Sequence, residues 1–169
     1  MSVLAWGKPT IYVKDLDTED AKWQKLPDAA QDTVILEPTK GDKTEAKLEG
    51  GENEDVKYGR NTYALNAGIR AAKGRKKPFK DEDGIITNNY AVALIPEDAD
   101  CTGLYIKKSK VSIEDTFGAA EGGQWNYTFD ALKPGEGKQL AWGVLAATST
   151  TGGYTLTFKE DGEGEAIVI

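Results

Sequence analysis

Alternation of apolar and polar residues at a period of two predicts a mainly β chain. The expected fold is an antiparallel β-sandwich or small barrel of about nine or ten strands with one or two short helices. Three observations carry this. QWNYTFDAL, residues 124–132, puts Trp125, Tyr127, Phe129 and Ala131 on one face and Gln124, Asn126, Thr128 and Asp130 on the other. The same alternation returns along the chain, and no run of comparable length keeps a helical period. Clusters of Gly, Pro, Asp and Asn stand between the alternating segments, where turns belong. The 169 residues suit one domain, 1–169, large enough for a core without disulfide or metal.

Taken in order, Val3 to Val13 is apolar enough for a first strand, with Pro9 marking an edge or bulge. DLDTED, Asp15 to Asp20, is a polar turn. Trp23 and Leu26 start a short strand that Pro27 and Asp28 break. Thr33 to Glu37 is a compact strand, PTKGDK turns the chain, and Lys43 to Glu49 alternates with Thr44, Ala46 and Leu48 inward. These two strands are expected to form a hairpin with a polar tip, followed by an acidic turn at GGENED. Tyr63, Leu65, Ala67 and Ile69 share one strand face. Ala71 to Asn88 is a long loop with a basic block, KGRKKPFK, read as a solvated tip or a partner contact.

Asn89 to Ile95, NYAVALI, is apolar on both faces and reads as a central strand. Leu104 and Ile106 fall on even positions while Val111 and Ile113 fall on odd ones, so a β-bulge near Lys107 or Lys108 is needed to put all four on one face. Strands then follow at Trp125 to Leu132, Leu140 to Leu145 and Tyr154 to Lys159, and Ala166 to Ile169 is short enough to pair at an edge. Asn66 to Lys73 and Pro96 to Cys101 are the places where a short helix could form.

The chemistry-bearing residues are few. There is no histidine, which removes the commonest general base and zinc ligand and with them the Ser-His-Asp and Cys-His constellations. Cys101 has no partner cysteine and reads as a small buried residue. The acids lie mostly in turns; Asp15/Asp17 and Asp81/Asp83 lack the spacing of a calcium loop. No phosphate-binding glycine motif is present. Trp125 and Trp142 read as core, while Trp6 and Trp23 read as open to an interface. The net charge of −7 disfavours non-specific nucleic-acid binding. No secretory leader or bilayer-spanning run is apparent, which points to synthesis in a cytoplasm. No enzyme and no cofactor are expected.

Three passages go further: TVILEPTKGDKTEAKLEGGENEDVKYGRN, a strand pair with a charged tip and glycine-rich acidic return; NNYAVALIPEDADCTGLYIKKSKVSIED, a buried strand, a proline break and a bulged strand; and GGQWNYTFDALKPGEGKQLAWGVL, two strands joined by a lysine-proline turn. In this order they resemble the major tail tube proteins of long-tailed phages and, more distantly, the type VI secretion tube protein. The resemblance implies a β-sandwich or half-barrel with a helix on its flank. It implies a structural subunit of a phage or prophage tail tube, located in the virion tail and made in the bacterial host cytoplasm. Six copies would form a ring, and stacked rings would form a conduit that DNA traverses without specific binding. The implied partners are copies of the same chain and other tail proteins, with no membrane. The long hairpin tip would reach the next ring, which makes Lys40, Asp42, Lys43, Glu52, Glu54 and Asp55 the candidate assembly loop. The alternative is an immunoglobulin-like adhesion or carbohydrate-binding module, using Trp6 and Trp23.

Overall fold

A computed structural model describes residues 7–160 and 164–169, and the described residues form strands and turns with no helix. The expected first strand is β1 (Thr10–Asp15); its Val3 to Trp6 part lies outside the described residues. It is followed by β2 (Gln24–Lys25), β3 (Ile35–Thr39), β4 (Lys43–Lys47), β5 (Asn53–Tyr58), β6 (Thr62–Arg70) and β7 (Ile85–Ile95). The chain continues through β8 (Gly103–Gly118), β9 (Gly122–Ala131), β10 (Leu140–Thr150), β11 (Gly153–Glu160) and β12 (Ile167–Val168). The mainly β antiparallel fold is as the alternation predicts. The described residues form twelve strands rather than nine or ten; the short β2 and β12 form where the sequence places them, and β5 forms where GGENED reads as a turn.

The short helices do not form. Residues 66–70 instead complete β6 and pair with β9 from Asn66↔Thr128 to Arg70↔Gln124. Their alternation decides this, since it sends Ala67 and Ile69 into the core. Residues 96–101 make a turn closed by the Cys101 N–H donating to the Asp98 carbonyl at 3.0 Å. The Asp100 N–H donates to the Asp98 carboxylate at 3.1 Å.

The main sheet runs β12-β11-β10-β8-β7-β1-β2. A bridge between Trp23 and Tyr154 ties its β2 end back to β11, so the sheet curls into a small barrel. A second layer, β3-β6-β9, joins the first through β8. Sandwich and barrel are therefore both present. The long β8 belongs to both layers: Gly103 to Ile106 pair with β10, and Ser109 to Gly118 pair with β9. The switch falls at the expected bulge. β7 advances two residues from Tyr90 to Val92, while β8 spends three between Ser109 and Ile106. The extra residue bends the strand and restores phase, so Leu104, Ile106, Val111 and Ile113 all enter one cluster. Ser109, fully buried at the bend, donates its hydroxyl to the Tyr90 carbonyl at 2.8 Å.

β7 is central, as its two apolar faces require. Val92 and Leu94 point to the layer between the sheets, with Leu65, Ile69, Tyr127 and Phe129 opposite. Ala91, Ala93 and Ile95 point into the barrel. The two alanines leave room for Trp23, Tyr12, Leu156 and Phe158, so small and large residues interdigitate. Tyr12 meets Tyr154 edge-on at 5.2 Å between ring centroids, and Tyr105 meets Phe158 at 5.3 Å.

Loop 71–84 is not a solvated tip throughout. Phe79 is inserted into the interlayer core, edge-on to Tyr90 at 4.7 Å and Tyr127 at 5.2 Å. Its neighbour Lys77 bridges Asp115 at 2.9 Å and Asp81 at 3.3 Å. The loop is thus pinned by an aromatic plug and an ion-pair clasp.

Burial raises the phenol pKa of Tyr12, Tyr90, Tyr105 and, most strongly, Tyr127. For Tyr127 the carboxylates of Asp81 and Asp115 add to the effect. A folded state that holds its phenol protons more tightly than the unfolded chain is at full advantage below the ordinary tyrosine pKa and loses it as pH rises. Stability should therefore be flat through neutrality and fall above about pH 10. Urea midpoints measured from pH 8 to pH 11 check this, and Tyr127→Phe should make the alkaline fall shallower.

Candidate assembly surfaces

β4 and β5 form a sheet of their own and pair with nothing else among the described residues. The expected hairpin of Thr33–Glu37 with Lys43–Glu49 does not exist: β3 pairs with β6, and β4 with β5. PTKGDK does not reverse the chain, because Pro38 and Thr39 still pair with β6. The reversal comes at Gly50 and Gly51, whose φ values of 103° and 92° suit glycine. The result is an arm, residues 40–61, standing off the end of the β3–β6 pair. Thr44, Ala46 and Leu48 are exposed rather than inward, because the arm has no body beneath it. An isolated two-stranded hairpin is marginally stable in water, and this one leaves Leu48 and Tyr58 about half exposed.

A backbone crossing at Gly41 and Gly59 forms the joint. The Gly59 N–H donates to the Asp42 carbonyl at 2.7 Å, and the Gly41 N–H to the Asn61 side-chain oxygen at 3.0 Å. A Cβ at position 41 would lie 2.3 Å from the Gly59 carbonyl carbon and 2.6 Å from the Arg60 carbonyl oxygen, both rigid backbone. Gly41→Val should therefore splay the arm while sparing the body. Amide exchange should quicken across β4 and β5, with the melting temperature of the body unchanged.

All six residues of the predicted assembly loop lie on this arm, in two groups. Lys40, Asp42 and Lys43 are at its base, where Lys40 sits 5.3 Å above the Tyr58 ring and Lys43 pairs with Glu45. Glu52, Glu54 and Asp55 are at its tip with Glu49, all exposed, and none is in a salt bridge among the described residues. No cation lies between Lys47 and Lys57, so the tip is purely acidic.

A second surface escapes the strand-by-strand reading. From Gln139 to Phe158 no residue is charged, where 29% of 20 residues would give about six. β10 and β11 form this neutral hairpin. Trp142 shares a sheet face with Leu104, its cross-strand partner. Over β1, β7, β8 and Leu140 at the start of β10 that face is covered by the second layer; over the rest of β10 and β11 it is bare. Trp142 is consequently 45% exposed, and Val168 on the neighbouring β12 is 71% exposed. The length of the charge-free run is the signal that could have found this surface. Phe117, 82% exposed at the β8–β9 turn, has no such signal.

Three single-residue readings are reversed. Trp23, read as open to an interface, is 2% exposed and donates its indole N–H to the Ile169 carbonyl at 2.8 Å. It cannot serve as a sugar-stacking platform. Trp142, read as core, is half exposed, whereas Trp125 does pack against the core. Cys101 is only half-buried. Trp6 lies outside the described residues. The Asp15 carboxylate, held below its ordinary pKa by the Asn88, Asp17 and Thr18 hydrogen bonds, organises a turn. Among the described residues no three His, Cys, Asp or Glu side chains are grouped to hold a metal ion.

A barrel-and-layer β domain with a projecting two-stranded arm is the class that this geometry defines. No protein-family model and no curated protein matches the chain. Among solved structures it is similar to the sheath/tube terminator of an extracellular contractile injection system, PVC, determined by cryo-EM in the extended state. The TM-score is 0.50 at 13% identity, over 79% of this chain and 93% of that one. At that identity the likeness is one of fold.

Proposed function

We propose that the chain is a structural subunit of a phage or prophage tail tube, performing no chemistry. Copies join side by side into rings, and the arm of one ring reaches the next. The observation that carries this reading is the arm itself. A hairpin with no core, half-exposed Leu48 and Tyr58 and a glycine joint has a physical reason to persist when it is completed by another molecule. The similarity to a sheath/tube terminator supports a tail location. Sheets with free margins are pairing hazards in a monomer and become joints in a ring.

Six copies at −7 carry −42, which would keep a transiting DNA from adhering to the bore. Other tail proteins are further partners, and neither a cofactor nor a membrane is needed. Synthesis would occur in the bacterial host cytoplasm, and the mature site would be the virion tail.

A second reading, a ring that ends a tube rather than builds one, is favoured by the terminator role of the fold neighbour. Negative-stain microscopy of the concentrated protein separates the two. Open-ended stacks support the tube subunit, discrete single rings support the terminator, and separate monomers support neither.

A further inference from the structure

The arm leads into β6 at Thr62 and carries its acid cluster at its far tip, and the basic loop follows the last residue of β6, Arg70. The loop and the segment around β2 wall a groove of about 570 Å³, lined by Lys22, Lys25 and Lys76 and backed by Tyr90. None of these three lysines is in a salt bridge among the described residues; the Lys22 ammonium donates to the Thr151 carbonyl, a neutral group, at 2.5 Å. Lys77 also lines the groove, but Asp115 and Asp81 already hold it. The one carboxylate in the lining, Asp15, is occupied by the Thr18 hydroxyl, the Asn88 amide and the Asp17 N–H at 2.8–2.9 Å. Asp81 and Glu82, next along the loop, line a different depression with Ile85. The groove therefore sets Lys22, Lys25 and Lys76 against one carboxylate, Asp15, a net positive lining on an acidic protein, and its loop is fixed in place by Phe79.

We propose that this groove receives the acidic arm tip of a second copy of the chain, with Glu49, Glu52, Glu54 and Asp55 against Lys22, Lys25 and Lys76. The inference rests on the reading that the arm makes contacts between rings, and it names the acceptor. The two ends of β6 are roughly 26 Å apart at about 3.3 Å per residue, which keeps a chain's own tip from its own groove. Tip and groove are different surfaces, so the contact is heterologous, and a docked copy presents a fresh one of each through which the contact can repeat. Each contact is salt-screened and weak, and a ring engages several at once.

Two measurements on the full-length chain test this. Lys25→Glu with Lys76→Glu, or Glu52→Lys with Glu54→Lys, should each weaken assembly about tenfold or more by sedimentation, and the four together should largely restore it. Carbodiimide coupling of mixed light- and heavy-nitrogen protein should join tip carboxylates of one isotope to Lys22, Lys25 or Lys76 of the other. Mixed-isotope links to other lysines only, or none at millimolar protein, would overturn the assignment. If a chain whose arm, residues 40–61, is replaced by Asn-Gly fails to assemble while the lysine reversals assemble normally, the acceptor alone is wrong. If the armless chain assembles as the intact one does, the arm's role in stacking is wrong as well.

Discussion

Replacing residues 40–61 with Asn-Gly should abolish stacking and leave the domain folded. The exchange joins Thr39 to Thr62, which are already opposite one another in the β3–β6 register, through a dipeptide suited to a two-residue hairpin turn. None of the removed residues belongs to either hydrophobic cluster. The cost to folding should stay within about 0.5 kcal/mol, in line with surface changes away from any core, cap or buried network. Assembly should respond very differently, because in the proposed stacking the arm would supply the acidic tip and the half-exposed Leu48 and Tyr58 to each contact between rings. Circular dichroism melting alongside sedimentation velocity checks both halves. An unchanged melt with lost high-mass species is the expected outcome.

Trp23→Ala should have the largest effect on stability. Trp23 joins the two ends of the barrel. Its amide and carbonyl exchange hydrogen bonds with Tyr154 at 3.3 and 2.8 Å, its indole holds the Ile169 carbonyl, and its ring fills the space opposite Ala91 and Ala93. Truncation removes a fully buried large side chain and leaves a cavity, a loss of about 3–5 kcal/mol. For a chain of this size the melting temperature should drop by roughly 10 °C or more. Trp142→Ala removes the same side chain from a half-exposed site and should cost about 1 kcal/mol or less. Urea denaturation of the two variants side by side gives the comparison, and equal losses would contradict the placement of Trp23 as the barrel's closure.

Period-two alternation sufficed for the strands whose faces differ in chemistry. β6 and β9 were legible because Leu65, Ala67, Ile69, Tyr127 and Phe129 face a core while Asn66, Asn126 and Thr128 do not. The bulge at Lys107 and Lys108 was legible because only one inserted residue reconciles Leu104 with Val111. What stayed hidden is decided by partners distant in sequence. Lys43–Lys47 alternates like a half-buried strand, yet among the described residues it pairs with β5 alone. Trp23 and Trp142 have similar local surroundings in the sequence. Which of them is covered depends on the closure of β2 on β11 and on where the second layer ends. Phe79 sits in a run of lysines whose charge says "surface", and its burial follows from a gap between Tyr90 and Tyr127 that only the folded layers create. The arm residues of the candidate site were readable from charge and glycine content, and the groove was not. Its lysines come from two stretches, at 22–25 and at 76, that meet only in the fold.

Sedimentation velocity of the intact chain, from micromolar to millimolar at low salt, tests the structural-subunit account most directly. Growth with concentration into species that are multiples of 18.3 kDa, reversed by added salt, is the predicted result. A single 18.3 kDa species at every concentration and ionic strength would contradict it.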